Sequence, residues 1–130
     1  MNLDLNKLQA SLCELMCTNV TIRARNNNLV AIETPFSFSD GDPYQIYIKE
    51  LPGGIIRLTD MGHTMMHLSY ENEVDKFREG TRGKILEQII VDSMIQESGG
   101  EFFLDTPLNQ LGISIFRLGQ AITRIYDLTF

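Results

Sequence analysis

Between Leu5 and Met16 the apolar residues recur at helical spacing, with Leu5, Leu8, Leu12, Leu15 and Met16 on one stripe and Asn6, Lys7 and Glu14 outside it. The pattern predicts a helix over 3–17. At Val20 the period shortens. Val20, Ile22 and Ala24 alternate with Thr21, Arg23 and Arg25, as expected of a half-buried strand. After the turn residues "NNN" at 26–28, a second strand is expected from Leu29 to Phe38, with Val30, Ile32, Phe36 and Phe38 in one parity. "DGD" at 40–42 is a hairpin signal, because glycine relieves the steric cost of positive φ. Beyond it Tyr44, Ile46 and Ile48 continue the apolar parity, and Gln45, Tyr47 and Lys49 point the other way. "PGG" at 52–54 turns the chain into "IIRLTD", with Ile56 and Leu58 facing in. Four strands joined by short turns make an antiparallel meander with one apolar face.

Helical spacing then returns. A short helix over Met61–Ser69 would bury Met61, Met65 and Leu68, leaving Asp60, His63 and His67 on its solvent side. "YENEVDKFREG" from 70 to 80 is charged, with Val74 and Phe77 as its apolar anchors, and fits a loop or a turn or two of helix. Ile85, Leu86, Ile89, Ile90, Met94 and Ile95 form a wide apolar face that "GG" at 99–100 would terminate, and "EFFLD" offers a further short strand. In the last helix Thr106 suits the N-cap and Pro107 the first position, followed by Leu108, Leu111, Ile115, Leu118, Ile122 and Ile125 in alternating three- and four-residue steps. Gly112 and Gly119 lie along one edge of that register, and each implies close approach to a neighbouring backbone. The expected fold is α+β over a single domain, 1–130: an N-terminal helix, a four-stranded antiparallel meander, then C-terminal helices packed on one face of the sheet.

Composition narrows the function classes. Hydrophobic residues at 43% and charged residues at 22% are ordinary for a globular domain. The net charge of -6, with a pI near 4.8, repels nucleic acid unless a local basic patch overrides it. The apolar runs are too short to span a bilayer, and "MNLDLNKLQ" has neither the basic start nor the continuous apolar stretch of a signal peptide. A cytoplasmic protein without membrane contact is expected, with Cys13 and Cys17 as reduced thiols.

The sharpest chemical question lies in "LTDMGHTMMHL" at 58–68. Asp60, His63 and His67 share a helical face, and H-x-x-x-H can chelate a metal. The glutamate of H-E-x-x-H is absent, however, and Asp60 is placed to cap the free N–H groups of Gly62 or His63. Joining Cys13 and Cys17 to the histidines would give a Cys2His2 set, but from two i, i+4 pairs far apart in sequence, unlike compact zinc motifs. No metal and no cofactor are expected. An enzymatic alternative is a metal-dependent nuclease or hydrolase using Asp42, Asp60 and His63, but "GIIRLTD" lacks the Glu-x-Lys that such a core requires. Neither cysteine sits in a turn or at a helix N-terminus, the places that favour a reactive thiolate. The chain also has no nucleophile elbow, P-loop or dinucleotide fingerprint.

"TPFSFSDGDPYQIYIKE", "GGIIRLTDMGHT" and "LGQAITRIYDL" together resemble a small family of bacterial and phage proteins known as domain of unknown function 1828. Its members run "TPF", an Asp-Gly-Asp-type turn, an alternating strand and then "LTD-x-G-x-T". The corresponding positions are Asp42, Leu58, Thr59, Asp60, Gly62 and Thr64. The resemblance implies a phage or mobile-element context, supplies no activity, and does not require histidine at 63.

The outward parity of the sheet collects Arg23, Arg25, Tyr47, Lys49 and Arg57. Four of the chain's 11 basic residues thus share a face with a tyrosine, opposed mainly by Glu33. Such a face suits an acidic protein segment or single-stranded nucleic acid, or else a solvated surface laced by pairs such as Arg23–Glu33. The expected function is non-enzymatic: binding a protein partner as an accessory or anti-defence factor. Nucleic acid is the lesser alternative, since one aromatic offers little stacking.

Overall fold

A computed structural model describes residues 3–26, 29–70 and 73–128. The turn expected at 26–28 falls, at 27 and 28, outside the described residues, as do positions 71 and 72 and the side chain of Val74.

Helix α1 spans Leu5–Asn19, started by Asp4, whose carboxylate accepts from the Asn6 and Lys7 N–H groups at 3.0 and 3.2 Å. Strands β1 (Thr21–Asn26), β2 (Leu29–Glu33), β3 (Ile46–Glu50) and β4 (Ile55–Thr59) follow, then α2 (His63–Leu68), α3 (Val74–Phe77) and α4 (Gly80–Asp92). Strands β5 (Gln96–Ser98) and β6 (Glu101–Pro107) come next, and α5 (Leu111–Asp127) ends the order. The fold is α+β, with the C-terminal helices on one face of an antiparallel sheet, but that sheet has six strands in the order β1-β2-β3-β4-β6-β5. The four-stranded meander is therefore incomplete. The "EFFLD" segment extends to Pro107 and pairs with β4, so that β4 is a central strand.

This pairing moves two boundaries. Thr106 and Pro107 belong to β6 rather than to the start of the last helix. Thr106 is buried there and accepts a 3.1 Å hydrogen bond from the Ser114 hydroxyl. Likewise α4 ends at Asp92 rather than at "GG". Met94 takes a positive φ of 55°, and Gly99 and Gly100, also at positive φ, form the tight β5–β6 turn. A left-handed residue after Ser93 breaks the helical register that the apolar pattern seemed to continue.

The core lies between the inward parity of β2, β3, β4 and β6 and the buried stripe of α5, with Ile32, Ile46, Leu58, Phe102 and Leu104 meeting Ile115, Leu118, Ile122 and Ile125. Gly119 is matched by a close approach, though to a ring: an added Cβ would stand 2.9 Å from Phe36. Gly112 faces open space and has no such compensation.

The N-terminal arm departs from the expected packing. Every residue of α1 and β1 is exposed, so the leucine stripe covers nothing, and Ile22 and Ala24 of β1 are as open as Arg23 and Arg25. The covering helices do not extend over β1, leaving that edge strand bare on both faces.

Candidate functional site

Two regions carry the residues singled out by sequence. The first is the joint between β4 and α2. Leu58, Thr59, Asp60 and Thr64 are all buried. The Asp60 carboxylate accepts from the Gly62 N–H at 2.8 Å, the Phe102 N–H at 2.9 Å and the Thr64 N–H at 3.3 Å. One side chain thus ties β6 at Phe102 to the start of α2. Burial nevertheless pushes the Asp60 pKa up, because desolvation outweighs those hydrogen bonds. The Thr59 hydroxyl donates to the Glu101 carboxylate and accepts from the Met61 N–H at 2.9 Å. Met61 and Gly62 both take positive φ, 53° and 80°, and glycine at 62 is the residue that adopts it without steric cost.

That left-handed pair rotates α2 relative to a continuous helix, and the expected faces change. Met61 is exposed, whereas His67, expected on the solvent side, is buried. Its imidazole stacks on Phe38 at 4.0 Å between centroids, and its Nε2 lies 3.0 Å from an Asp40 carboxylate oxygen and 3.6 Å from one of Asp42. Both acids come from the turn at 38–42, closed by the Phe38 N–H donating to the Asp42 carbonyl at 2.8 Å. The Asp40 pKa is lowered, chiefly by the Asp42 N–H and further by His67. His63 is half-buried, and desolvation lowers its pKa more than Asp42 raises it.

This arrangement is a clamp between turn and helix. The Asp60 oxygens face backbone amides, and an Asp42 oxygen lies 3.6 Å from the His67 Nε2. The His67 Nδ1 is sealed from solvent and has no hydrogen-bond partner among the described residues, and the hydroxyl of the turn, Ser39, pairs with Tyr126 at 2.7 Å. Cys13 and Cys17 are exposed on α1, and among the described residues no group of three or more His, Cys, Asp or Glu could hold a metal ion. Sequence reasoning missed Asp40 and Phe38 as the partners of His67. The available signal was the pair of acids flanking Gly41.

The second region is the outward sheet face. Antiparallel register aligns Arg23 with Ala31, Ala31 with Tyr47, Tyr47 with Thr59, and Lys49 with Arg57, so these residues share one side. Arg23 pairs with Glu33 at 2.9 Å. Arg57 makes two hydrogen bonds to Asp105, at 2.7 and 3.0 Å, with its guanidinium 4.2 Å from the centre of the Phe103 ring. Sequence reasoning also missed Asp105 and Phe103, because they reach this face only through the β4–β6 pairing. Arg25 is exposed and Lys49 half-buried, and neither has a carboxylate partner among the described residues. Tyr47 donates to the Gln45 side chain at 3.0 Å. Beside it opens a shallow cleft of about 330 Å³, lined by Tyr47, Met61, Gly62, His63 and Met66 among others. Met61 also borders a second cleft, of about 610 Å³, together with Lys49, Leu29 and Leu51.

No helix among the described residues is long and apolar enough to cross a membrane. No curated protein and no solved structure matches the chain. A family model does match, over residues 34–125, from just after β2 through most of α5. It takes in the 38–42 turn, the β4–α2 joint and both clefts apart from Leu29 and its neighbour Asn26. The match covers well over half of the sequence, and this chain belongs to the family described as Domain of unknown function DUF1828.

Proposed function

We propose that this protein is a non-enzymatic binding module that recognises an acidic segment of a partner protein on its outward sheet face. One observation carries the reading: Lys49, a cation with no carboxylate partner among the described residues, borders one cleft with Met61, beside a second lined by Tyr47, Met61 and Met66, while Arg25, at the irregularity in the β1–β2 register, lines a neighbouring depression with Ala31, Glu33 and Gln45. Aromatic, arginine and methionine side chains are the types enriched at protein interfaces, and methionine adapts its shape to an apolar anchor. Arg57 supports the site as a fixed wall, since Asp105 and Phe103 hold it in place. Resemblance to bacterial and phage proteins supports a cytoplasmic accessory or anti-defence role.

The test is affinity capture from a lysate of the source organism with three immobilised forms: the native chain, Arg25→Glu with Lys49→Glu, and Lys84→Glu as a control at an exposed position of α4. A partner captured by the native and control forms and lost by the double variant is the expected result. Capture indifferent to the reversal would contradict the reading. So would salt-sensitive retention of single-stranded DNA that the same reversal abolishes, which is the signature of a nucleic-acid face.

A further inference from the structure

Helix α1 turns a row of large apolar side chains to solvent. Leu5, Leu8, Leu12, Leu15 and Met16 are between 38 and 75% exposed, and Leu3 and Ile22 extend the same bare arm at 57 and 59%. We propose that α1 is the seam of a two-fold dimer, in which the Leu5–Leu8–Leu12–Leu15 ridge of one copy packs against the same ridge of a second copy of this chain.

Four observations select that occupant. The ridge is spaced three, four and three residues apart with leucine at each position, the a/d pattern by which helices interlock with their own kind. An isolated helix of about 12–15 residues is marginal in water, and α1 buries no side chain, so it needs a covering surface that its own body does not provide. Within the helix the positions flanking the ridge are Gln9, Ser11, Met16 and Thr18, none of them charged, and the one acid on that flank, Asp4, is the N-cap and is tied to the Asn6 and Lys7 N–H groups. No charge within the helical flank therefore repels an identical helix or selects an oppositely charged one. A membrane surface fits poorly, because the polar side of α1 carries Lys7 against Asp4 and Glu14 rather than a cationic face.

The area agrees. With about 100 Å² of apolar surface in a fully exposed aliphatic side chain, the four ridge leucines offer roughly 230 Å² of apolar area per copy, and the whole arm, with Leu3, Met16 and Ile22, roughly 400 Å². That amount suits an interface at the small end of the specific range, about 600 Å² per partner, and so a concentration-dependent dimer. The span matched by the family model begins at residue 34, beyond α1, β1 and β2. A ridge facing its own copy across a two-fold axis closes after two chains, which sets the stoichiometry.

The test is sedimentation equilibrium of the full chain over a roughly hundredfold concentration range, with helicity read by circular dichroism on the same samples. The expected mass rises from 14.8 kDa to twice that value, and helicity rises with it. Leu8→Glu with Leu12→Glu should hold the chain monomeric throughout while the near-ultraviolet spectrum of the body stays unchanged. Leu8→Ile with Leu12→Ile should still dimerise, which separates loss of the seam from loss of folding. A native chain that stays monomeric overturns the proposal. So does a dimer that survives the glutamates, a mass above two copies, or α1-dependent binding to phosphatidylglycerol vesicles without self-association.

Discussion

The β4–α2 joint and the N-terminal arm are both strongly patterned in sequence, yet one is sealed and the other bare. At the joint, Leu58, Thr59, Asp60 and Thr64 are buried, and the Asp60 carboxylate holds three backbone amides. In the arm, residues of equally clear helical and strand period bury nothing. Periodicity therefore reports which face of an element is apolar, and a different signal is needed to say what covers that face. The most motif-like stretch of the chain, "LTDMGHT", is the mechanical link between sheet and helices. Surfaces free to meet another molecule lie where the pattern is plainer.

The largest expected effect sharpens the sealed side of that contrast. Asp60→Ala removes the acceptor from three amides, and leaving buried donors unpaired costs about 1–3 kcal/mol each, less any water that enters. Urea unfolding should show a loss of about 3 kcal/mol. Asp60→Asn, which keeps one oxygen for Gly62 and Phe102, should lose less than half as much. Equal losses for the two variants would show that the carboxylate charge, rather than the amide cap, holds the joint.

Glycine substitutions give the next effect, inside α5. Gly119→Ala drives a methyl group to within 2.9 Å of Phe36 and should destabilise by about 1–2 kcal/mol. Gly112→Ala meets open space and should stabilise by up to about 1 kcal/mol through helix propensity. Thermal melts of the pair should therefore move in opposite directions. In the arm, Leu8→Glu with Leu12→Glu should change the unfolding free energy of the body by no more than about 0.5 kcal/mol, as for other surface changes.

The smallest effect is in pH. Burial depresses the His63 pKa below its ordinary 6.5, so the unfolded chain takes up that proton first as the solution is acidified. Stability from this group is complete above the ordinary value and is lost as the pH falls through it toward the lower folded value. The urea midpoint of the native chain should drop over that window more than that of His63→Gln. Identical slopes for the two would show that His63 is as solvated in the fold as in the unfolded chain.

Much of this was legible beforehand. Alternation at 44–49 and 55–60 placed the central strands, and the register of Ile115, Leu118, Ile122 and Ile125 placed the buried face of the last helix. Asp60 was readable as a cap because an acid just before a helix has free amides to meet. Its third partner, Phe102, was not, since a bond across 42 residues depends on β6 lying beside β4. The same pairing hid the links of Arg57 to Asp105 and Phe103. The histidines were misplaced because two consecutive left-handed residues, Met61 and Gly62, reset the phase of α2, and only the glycine announces such a step in sequence.

Amide hydrogen exchange, followed residue by residue at low and high protein concentration, tests the contrast between sealed joint and bare arm most directly. The account predicts that the amides of Gly62, Thr64 and Phe102 exchange only through global unfolding, at rates set by the stability of the whole body. The α1 amides from Leu8 to Met16 should exchange fast in dilute solution and slow as copies associate. Slow exchange in α1 at every concentration, or fast exchange at Gly62 and Phe102, would contradict it.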